Sequence, residues 1–237
     1  MEKFSFRDDI QGLRALAIIS VLIFHINPGV LPGGYIGVDI FFTISGFVIS
    51  QSISRSYNSN SFSLANFYYN RFRRLYPALL ATVAATFVVG LFLFPPFLLV
   101  QLSKSSIYSL SPIAVVNFYF MLEAGYWSGD SITKPLLHVW SLAVEDQFYL
   151  IWPCLMLLLL RGSNSSQKKL LIWISVVTIF GVALSEIGTI YWPIPAFFMV
   201  PFRIFEFSIG ALVVFLPTRW KPNYIWSTVL VMSLGVV

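Results

Sequence analysis

Residues 12–30 read GLRALAIISVLIFHINPGV. The run is almost wholly apolar and about as long as the ~20 residues a helix needs to cross the hydrocarbon of a bilayer. Its end carries Asn27-Pro28-Gly29, residues that favour a turn. Two ionisable side chains interrupt it, Arg14 and His25, eleven residues apart. At about 100° per residue, eleven steps return to within ~20° of the starting direction and rise roughly 16 Å. Both side chains therefore share one helix face, about three turns apart. Two readings stay open. Arg14 snorkels to the headgroups and His25 is a hydrogen-bonded packing residue, or the two are costly groups retained for function.

The same pattern extends along the chain. Apolar segments fall at 12–30, 35–54, 75–94, 106–122, 142–160, 169–188, 200–216 and 224–237. The runs are continuous and do not alternate with period two, so they read as helices rather than barrel strands. The fold class is all-α: a polytopic transmembrane helical bundle of seven to eight apolar segments. Composition agrees. The chain is 57% hydrophobic and 11% charged, against roughly 25% charged in a soluble domain.

Several classes are excluded or disfavoured. The mixed charges of Glu2, Lys3, Arg7, Asp8 and Asp9 do not lead into a short apolar region with a small-residue cleavage site, so the first span is retained. Cys154 is the one cysteine, and with two histidines it offers no zinc site; no metal is expected. The net charge of +5 fits basic loops at a membrane surface, and no nucleic-acid partner is expected. There is no Gly-x-Ser-x-Gly elbow, Gly-rich phosphate loop or His-Glu-x-x-His motif.

Lys and Arg in short loops set orientation. Arg55, Arg71, Arg73 and Arg74 follow the second segment and form the strongest basic cluster; they place that loop and the N-terminus in the cytoplasm. Arg161, Lys168, Lys169, Arg219 and Lys221 also favour the inside. All three basic loops fall inside if one segment between 75 and 122 does not cross. The expected one is 106–122, short and interrupted by Pro112, Asn117 and serines, and read as re-entrant or interfacial.

This topology gathers other costly groups at one depth. Asp39, Glu145, Arg203 and Glu206 all lie near the outer ends of their segments, as His25 does. A carboxylate such as Asp39 beside His25 would fix its tautomer and raise its basicity; alternatively Asp39 is a helix cap near Gly37. Arg203 and Glu206 are three apart and share a face, which a structural pair would also explain. Arg71, Arg73 and Arg74 suit phosphates, whether of a nucleotide or of lipid headgroups.

These residues resemble the acyltransferase-3 family, membrane proteins that O-acetylate bacterial cell-surface polysaccharides such as lipopolysaccharide O-antigen. The matching stretches are 6–17 (FRDDIQGLRALA), His25, 33–42 (GGYIGVDIFF), 44–47 (ISGF), 71–77 (RFRRLYP) and 137–149 (LHVWSLAVEDQFY). The match around Arg203, Glu206 and Gly210 is looser, and Glu145-Asp146-Gln147 stands where the family usually has Glu-Glu-Gln. The resemblance implies that Arg14 and His25 form the functional signature and that Arg71 and Arg74 form a basic motif at the inner face. It also implies further spans, so residues 1–237 are expected to be the N-terminal portion of a longer protein, as one membrane-embedded domain.

The expectation is an O-acetyltransferase in the bacterial cytoplasmic membrane. His25, Asp39 and Glu145 are the catalytic candidates. Arg14, Arg71, Arg73 and Arg74 would bind the donor, acetyl-CoA or another acyl-CoA; His138, Arg203 and Glu206 would position a polysaccharide or lipid-linked glycan. No bound cofactor is expected, and membrane lipids are the remaining partner. The rival is a transporter or flippase of a lipid-linked glycan, since buried charges and broken helices also mark translocation paths.

Overall fold

The computed structural model describes residues 8–111, 115–123, 134–161 and 167–216. These are helical almost throughout: α1 (Asp8–Ile26), α2 (Gly37–Asn58), α3 (Leu64–Leu93), α4 (Pro96–Leu110), α5 (Val115–Leu122), α6 (Val139–Arg161), α7 (Gln167–Tyr191), α8 (Pro193–Phe198) and α9 (Val200–Phe215), with a 3-10 turn at Gly34–Ile36 before α2. Six stretches among the described residues are long and apolar enough to cross a membrane: Asp8–Ile26, Gly34–Asn58, Leu64–Leu93, Val139–Arg161, Gln167–Tyr191 and Pro193–Phe215. The segment at 224–237 lies outside the described residues.

Two boundaries correct the sequence reading. Arg71, Arg73 and Arg74 are not in a loop but near the start of α3, whose N-cap is Ser63. Hydropathy discards the polar first turns of a helix, although long basic side chains extend to the interface from inside one. The segment 106–122 is divided between the end of α4 and the eight-residue α5. Helices of 15 and eight residues rise only ~22 and ~12 Å, and neither is among the six spanning stretches.

The described helices form two compact units. The described residues of the first are 8–54, 159–161, 167–182 and 204–216. Within it, α2 crosses α9 at glycines. A Cβ on Gly46 would strike the Phe207 carbonyl, and one on Gly210 the Thr43 carbonyl. Small residues let backbones approach in this way where no hydrophobic driving force separates helix from lipid. Phe42 and Phe207 stack beside the crossing, centroids 4.8 Å apart. Gly181 admits Ile204 and Phe205, and Thr178 donates to Ser208 at 2.9 Å.

The described residues of the second unit are 55–111, 115–123, 134–158 and 183–203. Gly90 of α3 receives Leu102 of α4, and the Tyr68 hydroxyl donates to the Leu150 carbonyl at 3.0 Å. Phe120, Phe148, Trp152 and Phe198 are fully buried. In the first unit, large side chains such as Ile172, Ile179 and Phe180 on α7 are exposed, an apolar surface that suits lipid and not water.

Candidate active site

In the first unit the site begins with the α1–α2 hairpin. α1 is one uninterrupted helix, so Arg14 and His25 keep the three-turn spacing read from the sequence. Gly34 packs on Ser20 and Phe24, and Gly37 packs on Ala17, Ser20 and Val21. Neither position has room for a Cβ. Further along, the Arg14 guanidinium lies over the Phe41 ring, 5.7 Å from its centroid. This register places Asp39 on α2 between the residue that meets Val21 and the residue that meets Arg14. The sequence reading set Asp39 level with His25; the register puts its backbone deeper, between His25 and Arg14. The Asp39 carbonyl accepts a hydrogen bond from Thr43 at 3.0 Å.

His25 is exposed, at the last turn of α1. Its Nδ1 donates to the carbonyl of Val21, one turn back, at 2.8 Å. A carbonyl only accepts, so the proton must sit on Nδ1, and the neutral ring carries its lone pair on Nε2. The helix's own backbone thus sets the tautomer of the neutral ring. Phe24 meets the imidazole edge-on, centroids 5.6 Å apart, and also meets Tyr35 of the 3-10 turn at 5.5 Å. Glu206, on α9, is 4% exposed; a carboxyl so deeply buried is retained at cost.

The second unit holds the other candidates. Arg71 and Arg74 are three residues apart on α3 and share a face, whereas Arg73 is turned well away. Arg71 is half-buried, its guanidinium stacked 4.9 Å from the centroid of Tyr149 on α6 and 5.7 Å from that of Phe67. Arg73 and Arg74 are exposed. His138 resembles His25: exposed, with Nδ1 donating to the Pro135 carbonyl at 2.9 Å. Glu145 is 4% exposed on α6. Arg203 lies against Trp140 and Phe197, 5.3 and 5.0 Å from their centroids, and its Nε donates to the Phe197 carbonyl at 2.8 Å. Among the described residues no three of His, Cys, Asp and Glu gather in a way that could hold a metal ion.

A family model described as an acyltransferase domain, acyltransferase 3, matches residues 7–237. The chain belongs to the acyltransferase-3 family. It is 38% identical over 169 residues to the peptidoglycan O-acetyltransferase OatA of Listeria monocytogenes, covering 70% of this chain and 27% of that protein. It is 37% identical over 180 residues to the O-acetyltransferase OatA of Staphylococcus aureus, covering 76% of this chain and 28% of that protein. The chain thus spans little more than a quarter of the length of these relatives. No solved structure matches. With six stretches among the described residues long and apolar enough to cross, and this membership, the chain is an integral membrane protein.

Two residues absent from the sequence-derived candidates stand out in this acyltransferase-3 chain. Asn117, on α5, is fully buried, and Gln147, on α6, is 9% exposed. Both bond the junction between α8 and α9. The signals were faint ones: an asparagine inside Val115–Leu122, and the third member of Glu145-Asp146-Gln147.

Proposed function

We propose that this protein transfers an acetyl group from cytoplasmic acetyl-CoA to a hydroxyl of a cell-surface glycan, in the bacterial cytoplasmic membrane with its N-terminus inside. The observation that carries the reading is the Nδ1 bond of His25 to Val21, which presents Nε2 as a base on the helix that also holds Arg14. The relatives' names favour peptidoglycan as the glycan over lipopolysaccharide O-antigen.

In this reading Arg71 and Arg74 hold the nucleotide phosphates of the donor, as guanidinium groups do well, and Arg14 assists. Nε2 of His25 takes the proton of the acceptor hydroxyl as its oxygen attacks the thioester carbonyl. The carbon–sulfur bond breaks, and the imidazolium returns the proton to the departing thiolate. Asp39 favours the cationic ring in between, while Glu145, His138, Arg203 and Glu206 position the acceptor. The test is mass spectrometry of the host's surface glycan. With His25→Ala, membrane levels hold and ester-linked acetyl disappears; acetylation at the wild-type level would sink the mechanism.

The break between α8 and α9 favours a second reading, a transporter of a lipid-linked glycan. A transporter moves its substrate chemically unchanged, whereas the acyltransferase consumes acetyl-CoA and leaves an ester.

A further inference from the structure

The span Pro193–Phe215 is not one helix. α8 ends at Phe198, Met199 is extended (φ −116°, ψ 134°), and α9 begins at Val200. Pro201 explains the break. It has no N–H to give to the Phe197 carbonyl four residues back, so the helix cannot run on through this turn with its bonds intact. Inside a membrane the freed backbone groups must find partners, because no bulk water is present to take them.

The Met199 N–H donates to the Pro195 carbonyl at 3.0 Å and the Met199 carbonyl accepts from the Phe202 N–H at 3.3 Å, and polar side chains of the second unit meet the groups on either side. Asn117 Nδ2 donates to the Phe198 carbonyl at 2.8 Å and to the Trp140 carbonyl at 3.2 Å. Both acceptors are carbonyls, which fixes the orientation of the amide. Gln147 spans the break: its Nε2 donates to the Phe198 carbonyl at 3.4 Å, and its Oε1 accepts from the Val200 N–H at 3.1 Å. Arg203 Nε takes the neighbouring carbonyl, that of Phe197. The Phe197 ring in turn lies 4.2 Å from the Trp140 ring, and Arg203 rests on both. Gly188 of α7 leaves room for the Phe202 ring beside the junction. Trp140 is therefore held through its carbonyl by Asn117, and its ring forms one wall of the Arg203 site.

α6 gives this assembly a place along the transfer path. Arg71 docks on Tyr149 and Arg203 docks on Trp140. Nine residues separate these two contacts on one helix, which is roughly 13 Å of rise. If the Arg71 end takes the donor, Arg203 addresses the other substrate.

We propose that Asn117 and Gln147 are positioning residues that pin the α8–α9 break and thereby hold Arg203, against Trp140 and Phe197, for engagement of the hydroxyl-bearing glycan acceptor. The inference rests on the acetyl-transfer reading. Neither amide touches the reacting atoms; each acts through Arg203.

The experiment is steady-state acetyl transfer by the full-length protein in membrane vesicles, with acetyl-CoA and glycan acceptor varied separately. Gln147→Leu and Arg203→Lys should each raise the acceptor KM by about tenfold, as expected for residues in one network, and leave the acetyl-CoA KM unchanged. The double variant should be no worse than the poorer single one, because the two act on the same geometry. Asn117→Leu should show the same selectivity. Gln147→Glu keeps the acceptor for the Val200 N–H and should retain part of the effect, so the question stays answerable if Gln147→Leu does not accumulate. Additive effects of Gln147 and Arg203, or a fall in kcat with both KM values unchanged, would overturn the inference and leave the acyl-transfer reading intact. A wild-type protein that consumes no acetyl-CoA would overturn that reading, and this inference with it.

Discussion

The Nδ1–H of His25 is bonded to the carbonyl of Val21, one turn earlier on the same helix, at 2.8 Å. The geometry is local to α1, so the ring is oriented before any other element is considered. The backbone bond of the ring stands without Asp39, whose place on α2 falls between the residue that meets Val21 and the residue that meets Arg14.

Replacement of His25 should therefore separate holding from catalysis. His25→Asn keeps a donor at the Nδ1 position but has no basic nitrogen, and His25→Gln places an amide near the Nε2 position. Both should lower acetyl transfer by about 100-fold or more, the range of general acid–base contributions. Membrane abundance should stay at the wild-type level. Acetyl-CoA consumption in vesicles measures the first, immunoblotting the second, and an active His25→Asn enzyme would exclude Nε2 as the base.

The α2–α9 crossing should tolerate no side chain. Gly46→Ala and Gly210→Ala each drive a methyl group into backbone, against the Phe207 and Thr43 carbonyls respectively. Overpacking of this kind costs about 1–3 kcal/mol or more. Thermal unfolding in detergent should show both variants melting below wild type, whereas Gly12→Ala, with open space around it, should not. A wild-type melting temperature in Gly46→Ala would mean that the helices do not cross as closely as described.

The basic motif on α3 should divide by face. Arg74→Ala should raise the acetyl-CoA KM by about tenfold, the loss of one charge-assisted contact. Arg73→Ala, turned away, should change it less than about twofold. Arg71→Lys should resemble Arg74→Ala despite keeping its charge, because an ammonium group does not stack on Tyr149 as a guanidinium does. Equal effects at all three positions would favour general attraction to anionic headgroups over a shaped phosphate site.

Orientation is open to cysteine labelling. With Cys154→Ser as background, a cysteine at Ser128 should react with a membrane-impermeant maleimide in intact cells, and one at Ser165 should not. Labelling at residue 165 and not at residue 128 would reverse the assignment that follows from the basic loops.

The helical class, the membrane as solvent and the spacing of Arg14 and His25 were legible in the amino-acid sequence. Continuous apolar runs, the price of charge in hydrocarbon and the 3.6-residue period are local properties that need no partner. Helix ends were less legible. α3 begins at Leu64, not near residue 75, because its first turns are polar and aromatic. Pro201 marked a weak point near the start of the 200–216 run, but the run itself concealed that its span begins at Pro193 and breaks at Met199.

What only the tertiary structure decided is which polar atoms answer one another across elements. Phe198 lies 81 residues from Asn117 and 51 from Gln147, and no periodicity relates such positions. The register that sets Asp39 between His25 and Arg14 depends on how closely Gly34 and Gly37 let two helices approach. Sequence by itself determines which groups are too costly to leave in a membrane without a purpose. The fold determines their partners, because hydrogen bonds are read in ångströms and not in residues.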